Sequence, residues 1–588
     1  MHCALRMRGI VFMTLALSAA GRGYADNLVK VSGWELYQSG GGVAEMKTDA
    51  AGDALTVTIT KATSPFYLIQ LSQALGAPAA EGDRLRFSFR ARSASGNPLR
   101  AVIELSGPPF DAVTDVNVTA TPEWREYSTE SETNRAYESG GLSARLQCGG
   151  QPGVIEFAAL RVENLGPDPK AAAARAAIEP AAVEERIRKI RSGDMRLVVR
   201  GADGKAVPGA DVRVEMTRSE FLFGCNIFML NPSNTEPWQI AYQKEFTDLL
   251  NYATLPFYWG AFEPERGKPQ YERLEAMARW CRDHGIERKG HPLVWHEVWP
   301  KWAPTGADEA IPLLRERVLA IIRHYRGLIS YWDVLNEANN AVNYADRAGE
   351  GAWIKRDGAA AVVATALGWA REAAGSDHDT LLYNDFNTGD ANMQLLGQLR
   401  ERNALPDAIG IQSHMHDGVW PLRSVWETCE RFAAFNRPIH FTETTVLSSM
   451  KKPKSYDDVP RGDWPTTPEG EAAQAEYVEK FYALLFSHPA VQAITWWDFS
   501  DRGAWRNAPS GLVREDMSPK PAYEKLHALI RGKWWTNAGG KSDAAGIFST
   551  RAFYGDYRIV VTSADGRRAE TAAHFSSGTR GPIEVKLP

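Results

Sequence analysis

Tyr331-Trp332-Asp333-Val334-Leu335-Asn336-Glu337 is a largely apolar run that stops abruptly on a carboxylate, and Pro438-Ile439-His440-Phe441-Thr442-Glu443 does the same further along. Strands buried on both faces of a parallel sheet read as such runs, without polar alternation. Each run therefore delivers one glutamate to the rim of a sheet. Two carboxylates facing each other are the minimum equipment for cleaving a glycosidic bond. One strand-end glutamate alone reads as readily as a satisfied structural carboxylate, so the neighbouring strand ends decide.

Around these segments, between Glu220 and Gly532, strand-like runs alternate with amphipathic stretches. Strands are expected near 221–225, 251–257, 289–295, 331–336, 380–385, 408–413, 438–443 and 491–497. Helical periodicity is clearest over 271–285, 311–327 and 472–487. Eight such units predict an α/β fold, a (β/α)8 TIM barrel spanning 220–532. A doubly wound open sheet is the alternative, but no Gly-rich phosphate loop follows an early strand. In a barrel the functional groups sit at the carboxyl ends of the strands. Those ends read His291 with Trp295-His296, Asn336-Glu337, Tyr383-Asn384-Asp385, Gln412-Ser413-His414, Glu443 and Trp497. Each is polar or aromatic directly after an apolar run, a repetition that structure alone does not explain.

This region resembles glycoside hydrolase family 10, the retaining endo-β-xylanases. The motifs include Phe221-Leu222-Phe223-Gly224, Glu263-Pro264-Glu265-Arg266-Gly267, His291-Pro292-Leu293-Val294-Trp295-His296, Trp332–Glu337, Tyr383-Asn384-Asp385-Phe386-Asn387, Gly410-Ile411-Gln412-Ser413-His414, Thr442-Glu443, Ile494-Thr495-Trp496-Trp497 and Pro519-Lys520-Pro521-Ala522-Tyr523. The resemblance implies Glu337 as general acid/base and Glu443 as nucleophile. It implies Asn336 on the 2-hydroxyl of the sugar under attack, His291 on the same sugar, and His414 bonded to the nucleophile. Trp497 and Trp505 would form the floor and wall of that subsite, with Trp295 and Gln412 also binding substrate. Physics supports the division of labour: a retaining pair stands about 5–5.5 Å apart. Its acid must be kept protonated near neutral pH by low polarity and the nearby anion.

The departures matter too. Family xylanases follow the second strand with a Glu-Asn pair and a Lys that grip the glycone sugars. Here that stretch is Thr254-Leu255-Pro256-Phe257-Tyr258-Trp259, and Val298 replaces a Gln. Lost hydrogen bonds mean lost discrimination. The nucleophile lies in Thr442-Glu443-Thr444-Thr445, so Thr445 replaces an aspartate that normally supports the histidine, and Asp498 follows the floor Trp where a small residue is usual. The expected activity is retaining hydrolysis of β-linked plant-type polysaccharide, endo-1,4-β-xylanase-like by default. A different or decorated glycan, cleaved from a chain end, is the first alternative; a non-catalytic carbohydrate-binding protein is the second. The chemistry requires no cofactor or metal.

Outside the barrel, 26–166 shows short alternating strands broken by Gly, Pro, Ser and Asn, which predicts a β-sandwich. Gly82-Asp83 leading into Phe87–Arg92, and Trp124-Arg125-Glu126-Tyr127, resemble carbohydrate-binding modules of families 4 and 9. Trp34, Tyr67 and Trp124 are expected to face its core rather than a sugar. Residues 167–190 read as a linker that becomes helical. The strand-like pieces 191–219 and 533–588 cannot each form a stable domain, and are expected to pair as one accessory β-domain flanking the barrel.

Basic Arg6 and Arg8, an apolar stretch from Gly9 to Ala20 and small residues up to Ala25 read as a secretory signal peptide over 1–25, cleaved after Ala25 or Ala20. A dozen apolar residues are too few to span a bilayer, so no membrane association is expected once the leader is removed. The mature chain would be secreted or periplasmic and a monomer. Net charge −5 gives no basic footprint for nucleic acid. Trp, at 19 residues, leans toward a carbohydrate ligand. Cys148, Cys225, Cys281 and Cys429 lack metal-ligand spacing and are expected as buried thiols.

Overall fold

A computed structural model describes residues 27–588 apart from 376–378, 452, 454–458 and 461. The leader expected over 1–25 lies outside the described residues. The chain divides into two compact units, Met1–Arg175 and Ala176–Pro588.

In the first unit two five-stranded antiparallel sheets face each other. One runs in the order Glu35–Gln38, Ile69–Ala74, Leu142–Gln147, Pro98–Leu105 and Ala112–Thr119. The other runs Val43–Thr48, Ala54–Lys61, Gly153–Pro167, Asp83–Arg92 and Arg125–Glu132. Strict alternation explains the inner layer: within Asp83–Arg92, Leu85, Phe87, Phe89 and Ala91 are buried, while Arg84, Arg86, Ser88 and Arg90 are not. Trp34 is in this core, stacked on Phe87 with ring centroids 6.1 Å apart. The core expectation fails for the other two aromatics. Tyr67 is 48% exposed on a 3-10 turn, Phe66–Leu68. Half-buried Trp124 lies under the guanidiniums of Arg90 and Arg92, at 5.4 and 4.9 Å. Both lie outside the strands, where the alternation that aims side chains inward does not hold.

The second unit holds a closed parallel barrel. Its strands are β1 (Leu222–Asn226), β2 (Tyr252–Pro256), β3 (Glu287–His291), β4 (Tyr331–Asn336), β5 (Thr380–Asp385), β6 (Ala408–Ile411), β7 (Ile439–Val446) and β8 (Val491–Trp496). Neighbours pair in sequence order, and β8 returns to β1 with Leu222 opposite Ala493. Nearly every strand residue is buried, as apolar runs demand. The helix Ala307–His324 shows how the outer ring is attached. Asp308 and Glu309 lie in its first turn and Arg323 and His324 in its last, each favourable to the helix dipole. It buries Leu314, Val318, Ile321 and Ile322, one stripe at helical spacing worth roughly 1.5–3 kcal/mol per side chain.

Two further sheets join segments from either side of the barrel sequence. Ser192–Arg200 pairs antiparallel with Ile547–Phe553 and parallel with Ile583–Lys586. Asp211–Ser219 pairs with Asn537–Lys541 and Gly555–Thr562. Met195, Leu197, Val199, Val212, Val214, Ile559 and Val561 close their common core. Residues 167–190 form two helices, Pro169–Ile178 and Pro180–Ile190, broken at Pro180. All four described cysteines are buried thiols.

Candidate active site

The carboxyl ends of β3 to β8 converge on one cleft. Glu337 directly follows β4 with φ +59°, a left-handed conformation that costs a non-glycine residue of order 1–3 kcal/mol. Its N–H donates to the Asn384 carbonyl at 2.8 Å. Its Oε1 accepts from Gln412 Nε2 at 2.8 Å and Asn336 Nδ2 at 3.0 Å. Glu443, inside β7, accepts from Asn384 Nδ2 at 2.7 Å on Oε1 and pairs with His414 Nε2 at 3.1 Å on Oε2. Asn384 Nδ2 also donates to Asn336 Oδ1 at 2.8 Å, so the two amides bridge one carboxylate to the other. The sequence-predicted Glu337, Glu443, Asn336, Gln412 and His414 therefore share one hydrogen-bond network.

The two carboxylates are driven apart electrostatically. Burial, with repulsion from Glu443, raises the Glu337 carboxyl to about 7 against the hydrogen bond from Gln412 and the influence of His296. Burial also works to raise Glu443, but His291, the His414 hydrogen bond and Lys289 outweigh it and hold this carboxyl below its ordinary value. The positive side of the site has a foundation. Lys289 Nζ and His291 Nδ1 both contact Asp333 Oδ2, at 2.7 and 2.8 Å, and His291 Nε2 points to Glu443 Oε1 at 3.9 Å. Lys289 and Asp333 are completely buried. Burial disfavours the charged Asp333, and these two partners still hold its carboxyl low.

Aromatic rings form the walls. Trp497 meets His291 edge-on at 5.4 Å, and Trp505, 42% exposed, lies 4.8 Å from the His414 ring. Trp295 packs 5.5 Å from Tyr258, which also meets His291 at 5.5 Å and Phe228 at 5.6 Å. Burial and the charges of Glu443 and Glu337 push the Tyr258 phenol far up, so it is a permanent donor beside both carboxylates. A cavity of about 220 Å³ next to it is lined by Asn226, Phe228, Trp497, Asp498 and Trp505. Asp498 is raised to about 6 by burial, against hydrogen bonds from the Trp505 N–H and Ser510 Oγ. Thr445 Oγ1 lies 2.8 Å from His414 Nδ1 and so anchors the imidazole that faces Glu443.

Sequence reasoning missed Asn384 as the bridge, although it stands at a strand end, and missed Tyr258 as a wall. Lys289 and Asp333 gave a fainter signal: opposite charges inside adjacent apolar strands, which are stable only if paired. Among the described residues no group of three or more His, Cys, Asp or Glu is arranged to hold a metal ion.

The sequence model of glycosyl hydrolase family 10 matches residues 216–529, more than half of the chain. Among curated relatives, endo-1,4-β-xylanase B of Thermotoga neapolitana is 29% identical over 47% of this chain and 78% of its own. Endo-1,4-β-xylanase 1 of Arabidopsis thaliana is 27% identical over 68% of this chain and 40% of its own. Anti-sigma-I factor RsgI6 of Acetivibrio thermocellus is 27% identical over 64% of this chain and 46% of its own. The chain thus spans less than half the length of the last two. Among solved structures, xylanase 10B from Thermotoga petrophila RKU-1 in complex with xylobiose is 24% identical, with a TM-score of 0.44 over 53% of this chain and 95% of that one. The match of the family model across more than half of the chain places it in glycosyl hydrolase family 10.

Proposed function

We propose that the chain is a retaining glycoside hydrolase for β-linked plant-type polysaccharide, endo-1,4-β-xylanase in type. Glu443 attacks the anomeric carbon while Glu337 gives its proton to the leaving-group oxygen, leaving a glycosyl ester on Glu443. Water then attacks the same carbon, Glu337 takes its proton, and Glu443 departs as carboxylate. Asn336 holds the 2-hydroxyl, where hydrogen bonds strengthen in the transition state. His291 touches the same sugar, His414 keeps Glu443 oriented and ionised, and Gln412 orients Glu337. Trp295, Trp497 and Trp505 take the apolar faces of the rings.

The observation that carries this reading is the pair of linked glutamates whose proton affinities are displaced in opposite directions. Two carboxyls with separated affinities are the mark of an assigned acid and an assigned nucleophile. Glu337→Gln and Glu443→Gln should each abolish release of reducing ends from a panel of plant and algal polysaccharides and from an activated aryl β-xyloside. Turnover undiminished in either variant overturns the roles. Tight glycan binding without turnover by the unmodified chain would mark it as a binding protein instead.

Tyr258 and the exposed Val298 support a second reading. With aromatic and aliphatic groups where the family grips glycone sugars through Glu, Asn, Lys and Gln, plain xylooligosaccharides should be poor substrates. A decorated glycan, or attack near a chain end, would then be favoured; brisk cleavage of xylohexaose excludes this. The N-terminal sandwich exposes Tyr37, Tyr67 and Phe110, rings suited to a sugar face, and we assign it to holding the same polymer. The basic and apolar pattern of residues 6–25 supports a secreted or periplasmic location. No helix among the described residues is long and apolar enough to cross a membrane.

A further inference from the structure

Glu350 takes no part in the chemistry above, yet it is a carboxylate with 0% exposure in the helix Gly349–Asp357, shortly after the acid/base strand. Neither of its oxygens makes a hydrogen bond. The side chain beside it is His296, whose Nδ1 lies 3.5 Å from Glu350 Oε2. His296 is itself only 2% exposed, and its other nitrogen, Nε2, faces Glu337 Oε2 at 3.9 Å. An imidazole thus sits between two buried carboxylates, one of them the acid/base.

The backbone is built to put Glu350 there. A Cβ at Gly349 would collide with Ala310, and one at Gly351 would come within 2.5 Å of the Ala341 carbonyl oxygen. Two residues without side chains therefore let the first helical turn press against its neighbours, and the residue between them is fully enclosed. Burying a carboxyl group without hydrogen bonds is costly, and a polar partner beside it offsets that cost only if the contact is kept.

We propose that Glu350 is a positioning residue that fixes the His296 imidazole opposite Glu337. The inference rests on Glu337 being the acid/base. Glu337 must be a carboxylic acid in the first half of the cycle and a carboxylate in the second. Burial and Glu443 both favour its protonated form, whereas His296 opposes them and brings the ionised form within reach. Reciprocally, burial raises the Glu350 carboxyl and His296 opposes it. The other groups facing the couple are Tyr344, with Glu297 and Arg347 around it, and Tyr383. Tyr344 packs 4.2 Å from the His296 ring, donates its hydroxyl to Glu297 at 2.8 Å, and has the Arg347 guanidinium 4.1 Å from its ring centroid. The Tyr383 phenol feels both Glu337 and Glu350 and donates its hydroxyl to Asp385.

Glu350→Gln in the full-length chain tests this. The readout is the pH profile of kcat/KM on an aryl β-xyloside with a poor leaving group, beside a dinitrophenyl β-xyloside whose departure needs no proton. With Glu350 uncharged, the imidazole should no longer be held against Glu337, which should then keep its proton more tightly. The alkaline limb should then rise by about one pH unit for the first substrate, with kcat/KM for the second unchanged. His296→Gln should displace the limb equally, and the double variant no further. An unmoved limb, or equal losses on both substrates without displacement, overturns the inference. If Glu350→Gln does not fold, His296→Gln decides by the same criterion. Activity surviving in Glu337→Gln would instead defeat the underlying acid/base reading.

Discussion

Glu337 and Glu443 carry the same functional group in one cleft, and only their surroundings displace their proton affinities in opposite directions. A general acid must hold its proton, so the rate should fall as pH rises through the Glu337 value of about 7. A nucleophile must be ionised, so the rate should fall again as pH drops through the lowered Glu443 value. A bell-shaped kcat/KM profile with these limbs is expected, its alkaline side disappearing for substrates that need no protonation. Thr445 belongs to the same scale. Thr445→Val removes the hydrogen bond that anchors His414, worth about 1 kcal/mol, and should lower kcat about fivefold, with Thr445→Ser close to the parent. Both glutamates and most of their partners were legible because strand ends announce them. Tyr258 was noticed as a loss of polar groups, but its place among Phe228, His291 and Trp295 comes from tertiary packing that no local pattern encodes.

At the scale of elements, close approach governs the barrel as much as hydrophobicity does. Gly224 on β1 has no space for a side chain: a Cβ there would lie 2.8 Å from the Tyr252 carbonyl oxygen and 2.9 Å from its ring. Gly224→Ala should destabilise the protein by about 1–3 kcal/mol, read from chemical denaturation. The eight strands were legible because both faces of each are covered and apolar runs result. Helix boundaries were less so: 311–327 was expected and Ala307–His324 is observed, since Gly306, Asp308 and Glu309 start the helix before its apolar stripe begins. Turn aromatics were misjudged for the converse reason. Alternation reports which way a strand residue points and says nothing about Tyr67 or Trp124.

For the molecule as a whole, chain continuity and structural unit part company. Ser192–Arg200 and Asp211–Ser219 find their partners only after the barrel sequence has ended. Truncation before Asn537 strips both of pairing and exposes Met195, Leu197, Val212 and Val214, so the shortened chain should aggregate on expression. Deleting residues 1–168 should leave turnover of a soluble aryl glycoside within about twofold, because the first unit closes its own core. This discontinuity was legible from the isolated strand pairs, which are too small to stand alone.

The most direct measurement follows the anomeric proton of the first sugar released from an aryl β-xyloside by NMR. Attack by Glu443 followed by water predicts the β-anomer first, with the α-anomer growing only as mutarotation proceeds. Initial release of the α-anomer would contradict a covalent intermediate on Glu443 and the division of labour between the two glutamates.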